Sequence, residues 1–245
     1  MKRFRFIGLL LYVAIVFFLT SCNGNKSDEK NTDSTAADTT ASTVTPEANT
    51  IITTPENMLV VMHKVSNFEK WKSAYDGHDS ARLANGIHNY VIGRGVKDSN
   101  MVLVALKIDD TAKAKAFAKD PGLKKAMQKG GVTGTPSISL VTMVFQDTAD
   151  IGQVLRARTT FTVKDWDTWQ KAFEDGKQER LDNGIAVRAY GYDPDDNKKV
   201  SLVTALMDTA KAFAYYKSDA LKARRKAGGV IGEPQRFIFK IVQRY

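Results

Sequence analysis

From residue 58 onward the spacing of hydrophobic positions alternates between two periods. Met58 to Val65 is a short apolar run rich in β-branched side chains, the pattern of a strand. After Asn67, a residue type that caps helices, Phe68, Trp71, Ala74 and Tyr75 recur at helical spacing. That helix is expected to stop near Asn85-Gly86, because glycine enters the left-handed conformation of a helix end at little cost. Ile87 to Arg94 and Met101 to Ile108 flank the polar stretch Gly95 to Asn100 and predict a hairpin. Thr111 to Lys129 is helical in pattern, with a break at Pro121-Gly122. Ser137 to Phe145 predicts a closing strand, completing the order strand, helix, strand, strand, helix, strand.

The same order then repeats from Val154 to Val242. Trp71-Lys72-Ser73-Ala74-Tyr75 and Arg82-Leu83-Ala84-Asn85-Gly86-Ile87 correspond to Trp169-Gln170-Lys171-Ala172-Phe173 and Arg180-Leu181-Asp182-Asn183-Gly184-Ile185, at an offset of 98. The offset holds again from Asp110-Thr111-Ala112 and Asp208-Thr209-Ala210 to Gly130-Gly131-Val132 and Gly228-Gly229-Val230. Aligning Leu106 with Leu206 implies a two-residue gain in the turn Asp193-Pro194-Asp195-Asp196-Asn197.

The first 54 residues carry neither pattern. Lys2, Arg3 and Arg5 precede an apolar run from Phe6 to Thr20, shorter than a membrane span, and the run ends at Leu19-Thr20-Ser21-Cys22. Cys22 is the only cysteine. This ending resembles the lipobox of bacterial lipoproteins, which implies a signal peptide over 1–21, lipidation of Cys22 and attachment to an envelope membrane, facing the periplasm or the cell surface. Residues 22–54 are dominated by Asn, Ser, Thr, Ala and Asp, a composition that buries too little apolar surface to order and reads as a tether. The precursor carries a formal charge of +9, and loss of its three leading cations leaves +6. Lysines spaced along the second helix of each repeat read as solvated faces. An extracytoplasmic address argues against a nucleic-acid partner.

Four strands with two helices on one face leave the other sheet face bare, and two copies can cover each other. The pattern W-x3-[YF], then H-x3-R-x3-G through His78, Arg82 and Gly86, and later G-V-x-G-x-P, resembles the dimeric α/β-barrel superfamily. The similarity is greatest to its antibiotic-biosynthesis-monooxygenase-like and cyclase-like members. It implies an α+β fold in which two ferredoxin-like βαββαβ repeats, 55–148 and 152–245, form a pseudo-dimeric barrel within one chain. Because the dimer is internal, the expected state is a monomer.

Strict alternation sorts the strand residues. Ile87, Asn89, Val91 and Gly93, with Ile185, Val187, Ala189 and Gly191, are expected under the helices. His88, Tyr90, Ile92 and Arg94, with Ala186, Arg188, Tyr190 and Tyr192, are expected to face the barrel lumen. On the first strands, Val60, Met62 and Lys64 and their counterparts Arg158, Thr160 and Thr162 are placed inside as well. The candidate ligand-binding set is therefore His88, Tyr90, Arg94, Arg158, Arg188 and Tyr190. No carboxylate falls on the inward positions of those strands, so a bound anion is expected to neutralise the arginines.

Three histidines carry the candidate chemistry. His88 beside Tyr90, or His78 one turn before Arg82, could supply proton transfer. His63 corresponds to Phe161 and is expected as a hydrogen-bonded core residue. No phosphate-cradling loop, nucleophile elbow or metal-binding helix motif is present in the sequence, and no metal is expected. Binding of a small, partly apolar or anionic ligand is the leading expectation. The resemblance keeps alternatives open: an enzyme of the monooxygenase or cyclase kind, a haem protein with His88 or His63 as axial ligand, or a filled structural barrel. No cofactor is the working expectation.

Overall fold

The computed structural model describes residues 49–245; Cys22, the signal and most of the tether lie outside the described residues. A short strand β1 (Ile51–Ile52) leads into the first half. This half comprises β2 (Glu56–Val65), α1 (Phe68–Asp76), α2 (Asp79–Ala84), β3 (Ile87–Gly95), β4 (Met101–Ile108), α3 (Thr111–Ala118), α4 (Pro121–Lys129) and β5 (Val132–Asp147). The second half repeats it as β6 (Leu155–Val163), α5 (Trp166–Asp175), α6 (Lys177–Asp182), β7 (Ile185–Asp193), β8 (Asp196–Leu206), α7 (Thr209–Lys217), α8 (Asp219–Ala227) and β9 (Val230–Arg244).

Side chains define most helix ends. Asn67, Asp110, Asp120, Asp165, Asp208 and Ser218 each accept a hydrogen bond from a backbone N–H one turn into the following helix. Pro121 opens α4, so the proline break separates two helices as the sequence predicts. The first helix is also two helices, which the periodicity concealed. The break lies at Gly77-His78, where Arg82 donates to the Tyr75 carbonyl at 2.7 Å and its guanidinium stacks 3.7 Å over the Tyr75 ring. Arg180 does the same to the Phe173 carbonyl and ring in the second half.

Each half forms a four-stranded antiparallel sheet, and the two sheets join along two seams. β3 pairs with β9, and β5 pairs with β7, so strands β2 to β9 close into a ring. Glycine permits both seams. A Cβ at Gly93 would overlap the Phe239 ring, and one at Gly191 would collide with the Thr142 carbonyl. The bare sheet faces meet inside this barrel around Met58, Val60, Leu103, Val141, Met143 and Phe239. Outside it, the first half packs its helices over one core around Trp71, and the second over two clusters, one around Trp169 and one around Leu206 and Tyr215.

Register corrects two expectations. Ile87 pairs with Ile108, and Ile185 with Leu206. Leu206 therefore answers to Ile108, the offset stays at 98, and there is no two-residue gain. The second correction follows from a β-bulge in each hairpin, between Asn89 and Val91 and between Val187 and Ala189. Tyr90 and Arg188 are the extra residues, and beyond them the alternation inverts. Val91 and Ala189 face the lumen, whereas Ile92, Arg94, Tyr190 and Tyr192 lie under the helices.

His63 is buried 5.4 Å from the Trp71 ring, where Phe161 sits against Trp169 in the second half. The expectation of a hydrogen-bonded histidine fails, since neither ring nitrogen has a partner. Burial depresses its pKa from 6.5 to about 4, so folding favours the neutral ring. The unfolded chain binds the proton first as pH falls, and stability contributed at neutral pH is lost between about 6.5 and 4, by up to about 3 kcal/mol. We expect His63→Phe, which installs the residue of the other half, to flatten that acid limb in denaturant titrations at stepped pH. An unchanged acid limb in the variant would remove His63 as its source.

Candidate functional site

The lumen is divided into an open mouth and an inner chamber. The mouth, about 820 Å³, is lined from both halves by residues including Met62, Ser137, Thr160, Thr162, Ser201 and Phe237. The inner chamber, about 90 Å³, is enclosed by Met58, Val60, Leu103, Phe239 and a group of polar side chains. Arg158 and Ser201 line both spaces and form the neck between them.

The arginines of the inner chamber come from the second half, and the first half adds Tyr90, Gln146 and Asp147. β6 carries Arg156 and Arg158 on its inward face, 2% and 8% exposed, and the bulge of β7 adds Arg188 at 7%. At the corresponding positions β2 has Met58 and Val60, and β3 has Tyr90. Arg188 donates to Asp147 Oδ2 at 2.7 Å and to the Ala149 carbonyl at 2.5 Å. Asp147 stands at the end of β5, beyond the expected strand and outside the strands expected to lack a carboxylate, so Arg188 finds its counter-charge within the fold rather than in a bound anion. Glu56, ahead of the expected first strand, is occupied by Lys107 at 3.0 Å and Gln146 at 2.6 Å.

Arg156 and Arg158 have no such match. Arg156 donates to the Val154 carbonyl at 2.7 Å. Arg158 reaches only the Met62 sulfur, at 3.7 Å, and its buried Nε has no partner. Neither guanidinium has a carboxylate partner among the described residues. Burial lowers both pKa values to about 10, assisted at Arg156 by repulsion from Arg188 and Arg244. Both remain cationic at neutral pH. The lysines at the mouth are already neutralised, Lys64 by Asp98 at 2.9 Å and Lys199 by Asp196 at 3.3 Å.

The other candidate residues are dispersed. His88 lies outside the lumen at the end of β3, 46% exposed and 3.0 Å from Asp109. Tyr90 does line the inner chamber, with the Lys107 ammonium 5.4 Å from its ring centre, but His88 is not beside it. Arg94 stacks 4.1 Å over Phe68 and donates to the Ser99 carbonyl. Tyr190 sits beneath α5, donating to Glu174 at 2.7 Å, and burial, then that hydrogen bond, raises its pKa to about 12. His78 stacks on Phe117, centroids 6.1 Å apart, on the helix side of the sheet, where Arg82 caps α1. The structure therefore assembles Tyr90, Arg158 and Arg188 in the lumen, keeps His78 and Arg82 together in a helix-side pocket, and disperses His88, Arg94 and Tyr190.

Of the two axial candidates for haem, His88 is half-exposed against Asp109, and His63 packs 5.4 Å from the Trp71 ring at the edge of the mouth. Among the described residues no group of three or more His, Cys, Asp or Glu side chains could hold a metal ion. Sequence reasoning missed Arg156, although one more step of alternation back from Arg158 reaches it. It missed Asp147 because nothing in the local pattern extends β5 that far.

No family model matches the chain, and no curated protein resembles it in sequence. Solved structures do share its architecture. An anthrone oxidase-like protein superposes with a TM-score of 0.52 at 17% identity, over 79% of this chain and 94% of its own. A presumptive monooxygenase from Fusobacterium nucleatum gives 0.51 at 12% identity, covering 77% and 93%. A presumptive chlorite dismutase gives 0.50 at 15% identity, covering 78% and 96%. At these identities the likeness speaks for the fold alone: a ferredoxin-like dimeric α/β barrel, closed here within one polypeptide.

Asp147 is the only carboxylate paired with a lumen arginine among the described residues. Asp147→Asn leaves Arg188 buried without a counter-charge, a loss that costs about 3–5 kcal/mol. Urea unfolding should register that drop; a change below about 0.5 kcal/mol, the size of an ordinary surface substitution, would mean the pair is not needed to hold Arg188 inside.

Proposed function

We propose that this is an envelope protein, lipid-anchored through Cys22, whose barrel binds a small, partly apolar anion. The observation that carries the binding reading is Arg158, buried at the neck of an 820 Å³ opening with an unpartnered Nε and no carboxylate beside it. An unpaired buried charge is expensive, and Val60 holds the equivalent place in the first half, so the fold itself has no need of it. A carboxylate or phosphate suits the guanidinium by forked geometry, and Met62 and Phe237 offer apolar surface beside it. Of the enzymatic pairings, His88 bonds to Asp109 and does not line the chamber with Tyr90, and His78 with Arg82 lines a helix-side pocket apart from the lumen.

Octanoate and octan-1-ol make a direct test, since they share a chain and differ in charge. Titration calorimetry should find octanoate bound by the wild type and weakened about tenfold or more in Arg158→Val, as loss of a charge-assisted contact requires. Octanol should bind weakly to both. Without ligand, the variant should unfold at a higher temperature than the wild type, because a buried unpaired charge has been replaced by the residue of the other half. Equal octanoate affinity in both proteins would end the reading.

The anchor rests on Leu19-Thr20-Ser21-Cys22. Cys22→Ser should abolish incorporation of radiolabelled palmitate and removal of residues 1–21 at this site. Palmitate labelling at the wild-type level would overturn the lipobox assignment.

A further inference from the structure

The inner chamber holds more positive charge than one monoanion can neutralise. Its buried arginines are Arg156, Arg158 and Arg188, and the single carboxylate bonded to any of them is Asp147. Two guanidiniums remain without a counter-charge. At its outer edge the exposed Arg244 adds to the positive charge felt by Arg156, and the exposed Asp150 acts on it in the opposite sense. Gln146 and Glu56 are committed to each other and to Lys107.

The two uncompensated groups are placed to act together. Arg156 and Arg158 are two residues apart on one face of β6, so their backbones are about 6.6 Å apart and their side chains leave on the same side. Both line the chamber, and Arg158 also opens to the mouth. Tyr90 and Ser201 add hydroxyl-bearing side chains to the same walls. At about 90 Å³ the chamber has room for a tetrahedral oxyanion in place of several waters.

The first half provides the internal control. It builds the same strand with Met58 and Val60 where the second has Arg156 and Arg158, and both halves close the same barrel. Each guanidinium is costly to bury without a counter-charge, and Arg188 and Arg244 add repulsion at Arg156, so a purely structural role leaves them unexplained. We infer that the lumen selects a dianionic head, of the phosphomonoester class, held between Arg156 and Arg158 while its organic group lies in the mouth. This rests on the anion-binding reading above and narrows it to the charge state and the place of the head. A phosphomonoester has its second pKa near 6 and is doubly charged above neutrality.

Benzyl phosphate and benzoate at pH 8 separate the two ideas, as dianion and monoanion of similar organic size. Calorimetric titration of the wild type should give an affinity for benzyl phosphate about tenfold or more above that for benzoate, the scale of one added charge-assisted contact. Arg156→Met, which installs the residue of the first half, should lower benzyl phosphate affinity by a similar factor and leave benzoate within about threefold. Arg158→Val should weaken both. Circular dichroism of each variant should match the wild type, because the other half folds with those residues. Inorganic phosphate, run as a third probe, should bind the wild type more weakly than benzyl phosphate, since it leaves the mouth empty. If Arg156→Met leaves benzyl phosphate affinity unchanged, or if benzoate binds the wild type as tightly, dianion selection is wrong while anion binding through Arg158 stands. If neither organic anion binds the wild type, both fall.

Discussion

Every other feature depends on closure of the barrel. A four-stranded sheet covered by helices on one side exposes an apolar face on the other, and here two such faces are removed from water by the seams β3–β9 and β5–β7. Ring closure also removes the edge strands that an open sheet would present. The seams require strands to approach more closely than side chains allow, and Gly93 and Gly191 provide the room. Each half then completes its outer core in the same way, with an aromatic stack under the first helix and an arginine capping its end.

Within that shared frame the halves are chemically unequal. The first contributes Met58, Val60 and Leu103 to the lumen, and the second contributes Arg156, Arg158 and Arg188. Apolar packing around Met143 and Phe239 supports the barrel while the arginines stand against it at an electrostatic cost. Such a conflict between fold and side chain is commonest where a site does something other than hold the fold together. On the helix side Arg82 and Arg180 also keep an unpartnered Nε, but each bonds to a helix-end carbonyl and lies over a ring, contacts that Arg158 lacks.

Much of the fold was legible because period and repeat are local signals. The element order, the hairpins and the proline break all follow from spacing, and the doubled pattern led to a barrel through the need to cover a bare face. Site geometry was less legible. A single bulge at Tyr90 and another at Arg188 turned Arg94 and Tyr190 away from the lumen, and nothing in the composition of those strands marks an inserted residue. Asp147 is joined to Arg188 by tertiary packing across 41 positions, a distance no pattern along the chain encodes. His63 was placed correctly by its alignment with Phe161, yet its lack of hydrogen bonds depends on what surrounds it in three dimensions.

Covalent fusion of the two halves has a consequence for symmetry. In a barrel made from two identical chains, each lumen residue appears twice about the axis. Two copies of the second half would put six such arginines around one enclosed space, with Tyr245 at the place of Asp147 and so no carboxylate there to offset them. One polypeptide escapes that multiplication, because a residue changed in one half is not copied into the other. The lumen can therefore be directional, with its arginines contributed by one half alone. A ligand entering it meets a single orientation in which its charged and apolar ends are both satisfied.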